Sequence, residues 1–341
     1  QKATLDKLAG EYADELANLG VRVGNLEKKV GNIYWSGDAR MRYQEFSNEK
    51  RADSWNGRMR IHVKGQVNDS TYAFATLDNS MDFKGDNTAT TKATSLYVNH
   101  NFGKNVAVRL GRHPVTFGDQ GSWLYGDANG YDGAQISYNN GKFDATVGFG
   151  QFNASDYTVV KSADALFAKA GYNFSFARLG ADYIKFQKET SATNHAYGQE
   201  LYGVNLNIPV QKFDVFGEYW KNTVDKDYDT AWNAGLSYGK ADWKKPGSFD
   251  IGVAYNRVDT EVYFGGSGLH TDVLSHLTNL NKDGGIYGEA NQVKFWDAQA
   301  NVTLQKNVQL HAEYAFNVKT EKDNASKDVD DAWTVSLNYK F

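Results

Sequence analysis

The sequence predicts an all-β fold: a transmembrane, antiparallel, up-and-down β-barrel of about sixteen strands, preceded by a short α-helical coiled-coil stalk. Three observations carry this reading. Apolar and polar residues alternate with period 2 from Ile33 to the last residue, Phe341. Tight turns and long polar loops take strict turns between the alternating segments. Tyr residues collect near strand ends in a chain that is polar on average, with a mean hydropathy of −0.61.

Composition narrows the alternatives. The chain has 341 residues, a net charge of −4, 14% aromatic residues and 21 Tyr. It has no run approaching the roughly 18 apolar residues of a spanning helix. Near-neutral charge without a basic tail argues against nucleic acid as a partner. The absence of Cys removes disulfides, thiol catalysis and thiolate metal sites together. A chain opening on Gln1 with no apolar leader reads as a processed or truncated product.

Residues 1–31 form the first unit. Leu5, Leu8, Tyr12, Leu16, Leu19, Val23, Leu26 and Val30 recur at helical spacing, a heptad seam broken by a stutter. A single helix docked on its own domain fits the same pattern. Gly10, Gly20 and Gly24 weaken an isolated helix and favour partner helices. From residue 32 to 341 the strands follow. In the first, Trp35, Gly37, Ala39, Met41 and Tyr43 alternate with Ser36, Asp38, Arg40 and Arg42. In the second, Met59, Ile61, Val63 and Val67 alternate with Arg58, Arg60, His62, Lys64 and Gln66. TYAFATL and SLYVNHNF also read as strands, of ambiguous facing. The remaining strands alternate in the same way, down to the closing AWTVSLNYKF. Long loops are expected near 46–54, 79–92, 111–132, 151–163, 187–198, 221–230, 257–291 and 318–330, with tight turns between. Pro114, Pro209 and Pro246 are placed in connections, since Pro cannot donate to a closed ladder.

The polar faces carry too many long charged side chains for a dry core, so the apolar face is the outer one. Tyr43, Tyr138, Tyr172, Tyr183, Tyr219, Tyr238, Tyr255, Tyr314 and Tyr339 fit aromatic girdles at two lipid headgroup levels. Trp333, Tyr339 and Phe341 belong to a last strand that should close the barrel against the first near residues 35–43.

On these strands, the long loop at about 111–132 and the terminal Phe, residues 32–341 resemble a general bacterial outer-membrane porin. The stretch LDKLAGEYADELANLGVRVGNLEKKVGNIYWSGDARMRY is similar to the stalk-to-barrel junction of porins from diderm Firmicutes that carry an N-terminal S-layer-homology domain. That resemblance implies passive diffusion of small hydrophilic solutes and ions, a homotrimer in outer-membrane lipid, and a stalk in the periplasm. It also implies a link to peptidoglycan through an N-terminal domain absent from this chain, and an insertion signal in the terminal aromatic. A mainly structural anchor and a substrate-specific channel are the alternatives. No cofactor is implied.

For selection, Arg40, Arg42, Arg58, Arg60, His62 and Lys64 share one face as cross-strand neighbours, a basic wall suited to a watery pore. The loop at about 111–132 supplies Asp119, Asp127 and Asp132, expected to face that wall and set a transverse field. Arg109 and Arg112 flank the loop and could pair with its carboxylates instead. Asp38, Asp144, Asp182, Asp214, Glu218, Asp250, Asp297 and Glu313 are read as an acidic remainder of the lumen. Within 257–291, Val273, Leu274, Leu277 and Leu280 suggest a short helix, either a lid outside the membrane or a packing element on neighbouring loops. DKDYD lacks the Gly and Glu of a calcium loop. His270 and His276 do not form a zinc motif, and no nucleophile, P-loop or dinucleotide signature is present, so neither a metal nor an enzyme is expected.

Overall fold

The computed structural model describes residues 31–47, 53–84, 89–119, 123–124, 130–152, 164–187, 199–263, 265, 267–278 and 290–341. Of the expected stalk, only Tyr12, Ala13, Glu15 and Leu19 are also described; these are helical and exposed. The other stalk positions up to residue 30 lie outside the described residues.

Period-2 alternation becomes strands wherever it occurs. They are β1 (Ile33–Phe46), β2 (Ser54–Asn68), β3 (Thr71–Asp82), β4 (Ala89–Phe102), β5 (Val106–His113), β6 (Tyr131–Asn139), β7 (Phe143–Phe152), β8 (Asp164–Asn173) and β9 (Arg178–Phe186). There follow β10 (Glu200–Val210), β11 (Phe213–Asn222), β12 (Thr230–Gly239), β13 (Phe249–Asp259), β14 (Gln292–Gln305), β15 (Val308–Lys322), β16 (Ala325–Asp328) and β17 (Ala332–Lys340). A single turn of helix, α1 (Ser275–Thr278), interrupts the β13–β14 connection.

Sixteen of the seventeen strands form a closed antiparallel ring; β16 only pairs back onto the end of β15, which itself pairs with β17. Closure joins β17 to β1 from Asp38↔Lys340 to Phe46↔Ala332. Past the strand end, Phe341 and Gly37 exchange backbone hydrogen bonds of 2.8 and 3.0 Å. Every backbone ladder therefore has a neighbour on both sides, which is what a barrel achieves and an open sheet cannot.

One end of the barrel carries the tight turns. Gly103, Gly141, Gln211 and Asn307 take left-handed conformations there, and Asn140 Oδ1 accepts the amides of Lys142 and Phe143 at 3.0 and 2.8 Å. The other end carries the long connections. Two of the expected loops are shorter than the sequence suggests. Residues 79–82 and 89–92 are strand, and 318–328 form a β-hairpin because β15 runs on and folds back. Pro209 is not in a connection but in β10, opposite Asp214. The β9 ladder stops at Asn207, so at Pro209 only one side of the strand is paired.

The outer face is apolar, with Leu96, Leu110, Ile136, Val204 and Ile251 exposed. Aromatic rings band it at two levels. Towards the tight turns lie Tyr138 with Phe143, Tyr172 with Phe174, and Phe213 with Tyr238. Towards the long loops, Tyr183 meets Tyr202, Trp232 meets Tyr255, Trp296 meets Tyr255, and Trp333 meets Tyr43. Beyond that second band come ion pairs, Lys185 with Glu200 and Lys294 with Glu321.

The inner face divides. On β1–β5 it is basic and polar. On β6–β14, near the long-loop end, it carries buried Tyr131, Phe152, Phe167, Ile184, Phe186, Leu201, Trp220 and Phe295. These rings are covered from within the barrel by Val115, Phe117, Trp123 and Leu124 of the β5–β6 loop, and by Val262, Tyr263, Val273, Leu274 and Leu277 of the β13–β14 loop. The barrel thus has a dry core inside its long-loop half. The described part of the β13–β14 connection, with Val273, Leu274 and Leu277 of the expected helix, packs against that core; Leu280 lies outside the described residues.

Candidate functional site

The lumen is built from inward positions of the strands and from the two infolded loops. Strand alternation puts Asp38, Arg40, Arg42 and Gln44 of β1 inward, and pairing sets Asp38 opposite Arg60 and Arg40 opposite Arg58. Arg40, Arg42, Arg58, Arg60, His62 and Lys64 therefore line one inward face, a basic wall built around one carboxylate, Asp38. Arg60 Nε donates to both Asp38 oxygens at 3.0 Å, His62 Nε2 lies 3.2 Å from Oδ2, and Arg58 Nη2 lies 3.6 Å from Oδ1. Like charges on adjacent strands repel, and Asp38 is the counter-ion that holds these three together. Behind them stand aromatic rings of β3 and β4. Phe74 stacks with His62 and with Tyr97, Arg109 lies 4.6 Å over the Tyr97 ring, and Lys64 lies 4.6 Å over Tyr72. These aromatics alternate with Ala73, Ala75, Leu96 and Val98, so both faces of β3 and β4 look apolar in sequence; pairing resolves the ambiguity.

Of the expected loop carboxylates, Asp119 and Asp132 do not meet that wall. Asp119 Oδ2 sits 2.8 Å from Arg178 Nε on β9, and Arg178 Nη1 also holds Asp144 at 2.7 Å. Asp132 is the second residue of β6 rather than a loop residue, and it pairs with Arg112 through two hydrogen bonds of 2.6 Å. Arg112 stands opposite Leu96 in the β4–β5 ladder. Since Leu96 is an exposed outer residue, the same alternation turns Arg112 and Asp132 outward, away from the lumen. Only Arg109 of that group joins the basic wall. Asp127 lies outside the described residues.

The β5–β6 loop instead docks on the acidic half of the ring. Lys169 Nζ donates to the Thr116 carbonyl at 2.5 Å, and the Gly118 amide donates to Asp182 Oδ2 at 3.2 Å. Gly118 has φ +68°, and its missing side chain leaves room for the Glu218 carboxylate, which a Cβ would strike. Phe117 then reaches the rings of Phe152, Phe167 and Trp220. The second loop docks across from it: Gln44 Nε2 donates to the Thr271 carbonyl at 2.9 Å, and Glu313 accepts the amides of His270 and Thr271 at 2.9 and 3.0 Å. Ser267 Oγ donates to the Trp123 carbonyl at 2.5 Å and links the two loops. Where they meet the wall, a cavity of about 260 Å³ lies between Trp123, Leu269, Asn233, Asn256 and Asp297.

In a ring of sixteen, β11 stands opposite β3. Arg40, Arg42, Arg58, Arg60 and Arg109 thus lie across the ring from Asp182, Glu218 and Asp250, of which Asp182 and Glu218 are buried beneath the β5–β6 loop. The described parts of the two loops pack against the inner face, and Asp119 of the β5–β6 loop is held by Arg178.

No family model and no curated protein matches this chain. Solved structures do. A triple mutant of the Rhodopseudomonas blastica porin aligns with a TM-score of 0.57 at 11% identity, over 91% of this chain and 100% of that one. OmpT, an outer membrane protein of Vibrio cholerae in its trimer form, aligns with a TM-score of 0.57 at 12% identity, over 91% of this chain and 99% of that one. At such identities the likeness is one of fold, and the chain has the fold of the bacterial porins, a closed antiparallel barrel of sixteen strands.

Proposed function

We propose that the protein is an outer-membrane porin, a barrel whose lumen passes small hydrophilic solutes and ions by passive diffusion. The observation that carries this reading is the inversion of the faces: an apolar exterior banded by two aromatic belts around a lumen of opposed charges. Water would expel that exterior, whereas a bilayer solvates it, and the belts match its two headgroup levels. Passive diffusion through charged walls, not chemistry on a substrate, is the reading; the fold likeness to porins supports a channel over an enzyme.

The protein acts as a homotrimer in the outer membrane. Between β4 and β6 the long-loop half of the outer face carries the Arg112–Asp132 ion pair. A charged group on the lipid face of a barrel is unfavourable, by about 0–1 kcal/mol near the headgroup level where this pair sits, so this side suits a neighbouring protomer better than lipid. A periplasmic stalk joined through a further domain to peptidoglycan follows from the sequence resemblance of the N-terminal segment, and the barrel would then also anchor the membrane to the wall. The stacked rings of Phe74 and Tyr97 favour a second reading, a channel selective for solutes with flat apolar faces.

Planar-bilayer recording tests the channel. Purified protein should give stepwise ohmic conductance, and Arg58→Glu or Arg60→Glu should move the reversal potential in a salt gradient towards cation preference. Absence of conductance in every lipid tried would overturn the channel; unchanged selectivity would remove the basic wall from the filter.

A further inference from the structure

His270, His311 and Glu313 are distant in sequence but converge inside the barrel, where one ligand atom from each lies within 4.8 Å of the others. His270 Nδ1 is 3.1 Å from His311 Nε2, and Glu313 Oε2 is 3.7 and 3.6 Å from those two nitrogens. Ligand atoms held at about 2.1 Å by a tetrahedral Zn²⁺ lie roughly 3.4 Å apart. The three separations straddle that value, so an ion fits between the groups with shifts of a few tenths of an ångström.

The surroundings prepare the donors. His311 Nδ1 lies 2.9 Å from Asn301 Oδ1. An amide oxygen only accepts, so Nδ1 carries the proton and Nε2 presents its lone pair inward. A second-shell acceptor of this kind is the usual partner of a metal-bound imidazole. Glu313, 2% exposed, is held by the amides of His270 and Thr271 and by the Thr271 hydroxyl at 2.9, 3.0 and 3.0 Å. Its position is therefore set whether or not an ion is present. Buried Asp297 lies close enough to act electrostatically on Glu313, and its Oδ1 has no hydrogen-bond partner among the described residues.

We propose that His270, His311 and Glu313 form a binding site for a divalent transition-metal ion of the Zn²⁺ class, with a fourth position for water. Two imidazoles and one carboxylate suit that class, whereas Ca²⁺ and Mg²⁺ prefer oxygen donors throughout. The bound ion replaces the proton shared between His270 and His311, and His270 moves to its other neutral tautomer. Since His270 belongs to the β13–β14 loop while His311 and Glu313 belong to β15, the ion ties the loop to the barrel wall.

Calorimetric titration of the EDTA-treated, detergent-solubilised protein with Zn²⁺ tests the site, independently of whether the barrel conducts. One equivalent per chain is expected. His270→Ala, on a loop and clear of the ring's pairing, should abolish that equivalent; Asn301→Ala should weaken it about ten- to a hundredfold. Co²⁺ in place of Zn²⁺ should give the visible absorption of a tetrahedral site, absent from His270→Ala. No stoichiometric uptake, or uptake unchanged by His270→Ala, would overturn the proposal and leave the three groups as a hydrogen-bonded clasp.

Discussion

Gly118 shows how much of the constriction rests on one position. Its φ of +68° is open to Gly at little cost, and its absent side chain is the space that the Glu218 carboxylate fills. Gly118→Ala introduces a backbone penalty of about 1–3 kcal/mol and a clash with Glu218. We expect the β5–β6 loop to lift from the wall, with faster hydrogen exchange at 115–119 and unaltered exchange in β1, β2 and β17. Slow exchange retained at 115–119 would show that the loop is held by its apolar side chains alone. Gly37 is the corresponding position of the seam. A Cβ there would meet the Phe341 ring at 2.5 Å and the Arg60 carbonyl at 2.6 Å, so the last aromatic of the chain packs where the first strand has no side chain.

At the scale of elements, the strands were legible and the loops were not. Alternation in β1, β2 and β17 was enough to assign faces, because lipid-type and water-type residues differ sharply and the period is exactly two residues per pleat. Arg112 does pair with Asp132, one of the two arrangements the sequence allows, but on the outer face. A Gly-rich stretch gives no pattern to count from, and one step of register decides whether a side chain enters the lumen. Phe167 and Trp220 have no alternation to betray them, because their strands carry apolar residues on both faces; only the loop that covers them, with Phe117, explains their inward side. His270, His311 and Glu313 meet through loop infolding, which no spacing encodes. Phe117 tests the weight of this hidden core. It is fully buried against Phe152, Phe167 and Trp220. Phe117→Ala should cost about 3–5 kcal/mol of local packing, seen as larger, noisier single-channel conductance with the heat resistance of the barrel nearly intact. Conductance identical to the parent would mean that this loop does not narrow the path.

For the whole molecule, the outer face is uneven, and the unevenness predicts how copies assemble. The upper aromatic belt runs through Tyr183, Tyr202, Trp232, Tyr255, Trp296, Trp333 and Tyr43. At the same level β4–β6 present Leu96, Leu110, Arg112, Asp132 and Ala134, with no ring among them. Aromatic belts sit where lipid headgroups are, so in the proposed trimer a ring-free sector with a bidentate ion pair is the side turned towards protein. In that setting the pair is desolvated and each partner depends on the other, so removing one costs more than the pair itself contributes. Asp132→Ala should therefore lower the temperature at which the oligomer dissociates in detergent, whereas Tyr255→Ala, in the lipid-facing belt, should leave dissociation unchanged and weaken insertion. The double substitution Arg112→Leu with Asp132→Leu should recover much of the lost oligomer, since two apolar groups replace two charges at no desolvation cost. Oligomer melting that follows Tyr255 rather than Asp132 would move the protomer contact to the opposite side of the barrel.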